Sequence, residues 1–108
     1  MIGIVVRFDV VDEEAAVEFD RLTAAVVERI RAHEPGTLVY VTHQVRDEEL
    51  ARVFYEIYAD DAALQSHEDA AHVRQFHATK ESLLARPPRV EFVVPGPGKG
   101  AAVVPAAE

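Results

Sequence analysis

The chain has 108 residues, 49% of them hydrophobic, a formal net charge of −8 and no cysteine. That is one globular domain with its own core, neither disordered nor membrane-spanning. The acidic balance offers no electrostatic footprint for nucleic acid, and the missing thiols exclude disulfides, thiolate metal sites and cysteine nucleophiles.

The first run, Ile2-Gly-Ile-Val-Val-Arg-Phe8, is short and β-branched and reads as a strand. It lacks the basic flank and small-residue cleavage site of a leader. Together with apolar runs far below bilayer length, that predicts a soluble cytoplasmic protein without a membrane partner. Asp12-Glu13-Glu14 then opens a helix, because acidic residues suit its positive N-terminal dipole. Ala15, Phe19, Leu22, Val26 and Ile30 recur every three or four residues and form one apolar stripe, while Asp20, Glu28 and Arg31 fall on its wet side. Pro35-Gly36 ends it.

Thr37–Val45 predicts a second strand and Arg52–Ala59 a third, with Arg46–Glu49 as a polar link short enough for an antiparallel hairpin. Asp60 is placed to cap a short helix over Asp61–Ser66. A further helix is expected over Ala71–Ala85, ended by Pro87-Pro88, and Arg89–Val94 is the last strand. The order β-α-β-β-α-β, with its second helical region broken, predicts an α+β fold on a mostly antiparallel sheet.

Ile4-Val5-Val6, Leu38–Val41 and Val53–Tyr55 are apolar on both parities. A sheet with one wet face alternates instead, so a second cover is required. Two helices cover one face, and a second copy of the chain is the simplest cover for the other, giving a homodimer packed sheet to sheet. From Gly96 onward Gly and Pro crowd and periodicity stops, which divides the chain into a domain at 1–95 and a tail at 96–108. Ala101–Val104 of that tail is expected to lie across the partner as an arm.

Of the five histidines, His33 sits at a helix end, where it complements the dipole. His67, His72 and His77 are spaced by five, ~140° apart on a helical wheel, which gives no helical metal pair. No metal site is expected. There is no phosphate loop framed by strand and helix, and no nucleophile elbow. His43 alternates with Val39, Val41 and Val45 on one strand face, as a hydrogen-bonded interface residue or a base. Glu56 lies between Phe54 and Tyr58 on its own face. Desolvation there would raise its pKa and make it a proton acceptor; the other reading is a salt bridge to Arg7 or Arg89.

Four blocks then follow at close spacing: Glu34-Pro-Gly-Thr-Leu-Val-Tyr40, Val53-Phe-Tyr-Glu-Ile-Tyr-Ala-Asp60, Ala63-Leu-Gln-Ser-His67 and His72-Val-Arg-Gln-Phe76. Together they resemble the antibiotic biosynthesis monooxygenase (ABM) domain family, the quinol-monooxygenase-like proteins, over roughly Ile2 to Pro95. The resemblance implies a ferredoxin-like fold, a dimer whose two sheets form an α+β barrel, and a cavity between sheet and helices. It implies oxidation of a small aromatic, quinol or polyketide-like substrate by dioxygen, without a cofactor. Other branches degrade haem or act as isomerases on a signal molecule. By position, Glu56, Tyr58, His67, His72 and Phe76 match the family's motifs.

The Asn and Trp used by the haem degraders and polyketide oxidisers are absent from this chain. Under the oxygenase reading His67, Glu56 and His43 are the candidate catalytic groups. Tyr55, Tyr58 or Arg7 would hold the substrate anion, and Phe54, Leu64, His72 and Phe76 would wall the site. The alternatives are a non-catalytic small-ligand-binding dimer, or isomerase-type proton transfer with Glu56 and a His as the acid–base pair.

Overall fold

A computed structural model of the chain describes residues 1–100. In chain order its elements are β1 (Ile2–Asp9), α1 (Glu13–His33), β2 (Thr37–Val45), β3 (Glu48–Tyr58), α2 (Asp61–Asp69), α3 (Ala71–Lys80), a 3₁₀ turn (Glu81–Leu83) and β4 (Arg89–Val93). The strands form one antiparallel sheet in the order β2-β3-β1-β4, the ferredoxin-like arrangement. The expected α+β class and element order hold. The expected tail arm lies outside the described residues.

Local chemistry sets the helix starts. Asp12 and Asp60 each accept a hydrogen bond from the backbone N–H three residues on, Ala15 and Ala63, both at 2.8 Å. Each satisfies one otherwise orphaned donor. The stripe on α1 faces the sheet as expected: Ala15, Phe19, Val26 and Ile30 are buried, and Leu22 packs against the core. There Phe8, Phe19, Phe54 and Phe76 form one aromatic cluster, with ring centroids 4.8–6.4 Å apart. Arg52 pins α1 to β3 through a two-pronged bond to Asp20, at 2.8 and 3.0 Å.

Two boundaries differ most from the sequence reading, and the short helix expected over Asp61–Ser66 also runs on to Asp69. The third strand starts at Glu48, not Arg52, and the hairpin turn is only Arg46-Asp47, with Val45 paired to Glu48. Asp47 takes the left-handed conformation at φ 64°, which Asp tolerates better than most residues. The strand end carries charged, exposed side chains because the hairpin protrudes past the core, and backbone pairing needs no apolar side chain. The last helix stops at Lys80 rather than Ala85. Beyond it the chain leaves the helix to pair with the end of β1: Val11 N–H donates to Leu83 O at 2.9 Å, and Ala85 N–H to Asp9 O at 2.8 Å.

Register divides the sheet into two faces. Ile4, Val6, Phe8, Phe54, Glu56 and Tyr58 are buried on the face carrying the helices. Val5, Arg7, Val39, Val41, His43, Val53, Tyr55 and Ile57 lie on the other. On that outer face Val41 is 46% exposed and Val5, Val53 and Tyr55 are half-buried. Ile57 is buried on that face, but around Val5, Val41, Val53 and Tyr55 the apolar second parity read from the sequence is only partly covered within this subunit. No helix among the described residues is long and apolar enough to cross a membrane.

Candidate functional site

On the helix side of the sheet, between β1, β4 and α3, lies a cavity of about 440 Å³. Its apolar walls are Ile4, Val6 and Phe8 of β1 with Val90 and Phe92 of β4, and its polar groups come from Tyr40, Glu56, His67, Glu68, His77 and Lys80. Apolar walls with a few convergent polar groups are the usual form of a small-molecule site.

Glu56 is the carboxylate of the wall. It is buried, and burial pushes its pKa up to about 7, although the hydroxyl of Tyr58 donates to Oε1 at 2.5 Å and pulls the other way. The charges of Glu68 and Glu34 add to the rise. Tyr58 is itself fully buried, and desolvation next to Glu56 raises its phenol far above the usual range, so it stays a donor. The Arg7 and Arg89 partnerships considered for Glu56 do not form. Arg7 binds Asp9 and Glu48, and Arg89 binds Glu91, all on the opposite face.

His67, on α2, is buried against the rings of Tyr58 and Tyr40, with centroids 5.0 and 5.6 Å away. Its Nδ1–H donates to Glu34 Oε1 at 2.6 Å. The same carboxylate accepts the hydroxyl of Thr37 at 2.6 Å and the Nε2–H of His72. Burial alone would raise the Glu34 carboxyl, but these three hydrogen bonds outweigh it and hold it below the usual carboxylate range. Fixing the proton on Nδ1 leaves His67 Nε2 as the acceptor in the neutral ring. The carboxylate–imidazole pair thus orients a base at the cavity wall.

The structure separates the residues singled out in the sequence into three sets. Glu56 and His67 line the cavity. Tyr58, Phe54 and Leu64 stand behind it as core, while His72 and Phe76 line a smaller groove between α1 and α3. His43, Tyr55 and Arg7 are on the outer face, so they cannot meet Glu56 in this subunit. There His43 Nδ1–H donates to Val53 O at 2.8 Å. The reason is parity: Tyr40, not His43, shares the helix-side face of β2 with the ring of Phe54.

Sequence reasoning missed Lys80, Tyr40, His77 and Glu34. Lys80 carries a signal in the sequence, since Val73, Phe76 and Lys80 repeat at helical spacing and all three are buried on one face of α3.

Residues 1–79 match the family described as antibiotic biosynthesis monooxygenase. The chain belongs to that family. Among solved structures, a Caulobacter crescentus protein named as a candidate antibiotic biosynthesis monooxygenase is 28% identical, with 85% of this chain and 86% of that one covered and a TM-score of 0.80. A Pseudomonas aeruginosa protein is 26% identical over 85% of this chain and 90% of its own, at a TM-score of 0.76. A Mycobacterium tuberculosis protein, 24% identical, shares the fold at a TM-score of 0.82 over 92% of this chain and 98% of its own. No curated protein matches the sequence.

Proposed function

We propose that this ABM-family chain is a cofactor-independent monooxygenase acting on a small aromatic or quinol-type substrate held in the cavity between sheet and α3. The observation that carries the reading is Glu56: a carboxyl buried in an apolar wall, with a pKa of about 7 and a tyrosine donor at one oxygen. A base poised near working pH is what proton removal from a phenol or an activated ring methylene requires. Once deprotonated, such a substrate supplies all four electrons itself. For an anthrone-type methylene, dioxygen places one oxygen atom on carbon as a new carbonyl, and the two methylene hydrogens leave with the other oxygen as water. Glu56 takes the first proton; His67, oriented through its Nδ1–H by Glu34, offers its free Nε2 to take the second proton and hand it to the departing oxygen. Tyr40 is half-buried beside both and its phenol is pushed up by desolvation and by Glu56, so it serves as a hydrogen-bond donor in the wall.

The outer sheet face supports a homodimer. Its apolar centre of Val5, Val41, Val53 and Tyr55 is the surface a second copy would cover, as the two-parity sequence pattern suggested. The acidic chain and its small cavity fit a cytoplasmic enzyme for small molecules better than a nucleic-acid partner.

The test is oxygen uptake by the purified protein against a panel of hydroquinones and anthrones, with Glu56→Gln as control. Uptake above autoxidation that is lost in the variant supports the reading. Uptake no faster than autoxidation across the panel, with ligand bound and returned unchanged, refutes it in favour of a binding protein.

A further inference from the structure

Lys80 is a cation without a carboxylate. It is 6% exposed, on the sheet-facing side of α3, with its ammonium 5.2 Å from the ring centroid of Phe8 and 5.8 Å from that of Phe76. Among the described residues no Asp or Glu oxygen lies within 4.0 Å of it, although every other ion pair of the fold meets that distance. The aromatic faces offset part of the cost of removing the charge from water, but buried ammonium groups ordinarily find an anion as well.

Glu68 of the lining and the neighbouring Glu81 act on Lys80 only at longer range, and no lining carboxylate pairs with it. Glu56 holds its proton up to about pH 7. Glu68 is half exposed and lies 4.0 Å from His77. Desolvation and the neighbouring Lys80 charge lower the His77 pKa to about 4, so His77 is a neutral ring at neutral pH. Lys80 is the only Lys or Arg among the lining residues, in a chamber whose walls are apolar on the β1 and β4 side.

We propose that Lys80 is the anchor for a fixed negative charge on the ligand, so the substrate class is an aromatic acid: a flat apolar body bearing a carboxylate or stable phenolate. Lys80 holds the anionic end, and the ring lies against Phe8, Val6 and Phe92 with its reactive group toward Glu56. This rests on the cavity being the substrate site, and it assigns Lys80 to binding rather than to the proton transfer of Glu56 and His67.

The experiment measures affinities for matched ligand pairs, 1-hydroxy-2-naphthoate against its neutral carboxamide, by calorimetry under anaerobic conditions near neutral pH. Wild type is expected to favour the acid on the order of tenfold or more, the worth of one charge-assisted hydrogen bond. Lys80→Met, which keeps the volume without the charge, should bind both alike with the carboxamide affinity unchanged. Lys80→Arg should keep the preference. Equal affinities in wild type, a preference that survives in Lys80→Met, or no binding of either ligand would overturn the proposal. The binding assay is independent of turnover. Acid preference without oxygen uptake refutes only the oxygenase reading, and uptake without acid preference refutes only the role of Lys80.

Discussion

Replacing Glu56 by Gln should stabilise the protein at alkaline pH and leave it nearly unchanged in acid. The carboxyl is raised from the usual 4.5 to about 7, chiefly by burial. It therefore keeps its proton in the native state at pH values where the unfolded chain has released it. The stability this contributes is complete below about pH 4.5 and is lost as pH rises through about 7. At ~1.4 kcal/mol per pH unit, the loss amounts to about 3 kcal/mol. Gln matches the protonated acid in shape and still accepts the Tyr58 hydroxyl, but it has no charge to bury. Urea unfolding of both proteins, at one protein concentration across about pH 4.5 to 8.5, isolates this one group, because all other titrations cancel in the difference. The two should coincide at the acid end, and the variant should lead by about 3 kcal/mol at the alkaline end, or ~4–8 °C in melting temperature per kcal/mol. A difference flat with pH, or a variant weaker at alkaline pH, would refute the assignment of Glu56 as a desolvated carboxyl. The same substitution should lower oxygen uptake by about 10²–10⁴-fold, the range for removing a general base. In the wild type, uptake should climb as pH rises through about 7.

Three further outcomes follow from other parts of the molecule. Glu34→Ala should cost about 3–5 kcal/mol near neutrality, since it strands two imidazole N–H groups and the Thr37 hydroxyl. Because the Glu34 carboxyl is depressed in the native state, the wild-type advantage in urea melts should fade as pH falls below the usual carboxyl value. Gly3→Ala should lose about 1–3 kcal/mol by thermal melting, because a Cβ at that position would sit 2.6 Å from Val93 Cγ2 on the neighbouring strand. Val41→Arg, on the exposed outer face of β2, should convert a dimer to monomer in sedimentation velocity while the helix-side cavity stays intact.

What the sequence made legible was whatever depends on one element alone. The α1 stripe, its acidic start at Asp12-Glu13-Glu14, the Asp60 cap, the Pro35-Gly36 stop and the antiparallel hairpin all express local rules, and the structure repeats them. The ends of β3 and α3 were not legible, because they depend on what other segments do. A charged strand end survives by pairing with β2, and the segment after Lys80 is taken by the end of β1. Glu56 could be read because its own strand brackets it with aromatic residues. Glu34 could not, since its role appears only when α2 and α3 bring His67 and His72, 33 and 38 residues away, to the end of α1.

The separation of His43, Tyr55 and Arg7 from Glu56 shows how strongly register governs which residues can meet in this sheet. Successive residues of β3 serve different surfaces: Phe54, Glu56 and Tyr58 face the helices, and Val53, Tyr55 and Ile57 face out. Because side chains alternate with a period of two, a slip of one residue would exchange the two sets. It would bury Tyr55 under the helices and turn Glu56 onto the outer apolar face. On the neighbouring strand Gly3 sets β1 against β4, because no side chain fits in its place beside Val93. The apolar residues on both parities are therefore not redundant. One set forms the floor of a chamber that raises the Glu56 pKa, and the other presents the surface on which a second subunit would sit. The same strand that carries the proposed base would thus also carry the proposed dimer contact, so a substitution at Tyr55 would disturb Glu56 through the backbone without touching the cavity.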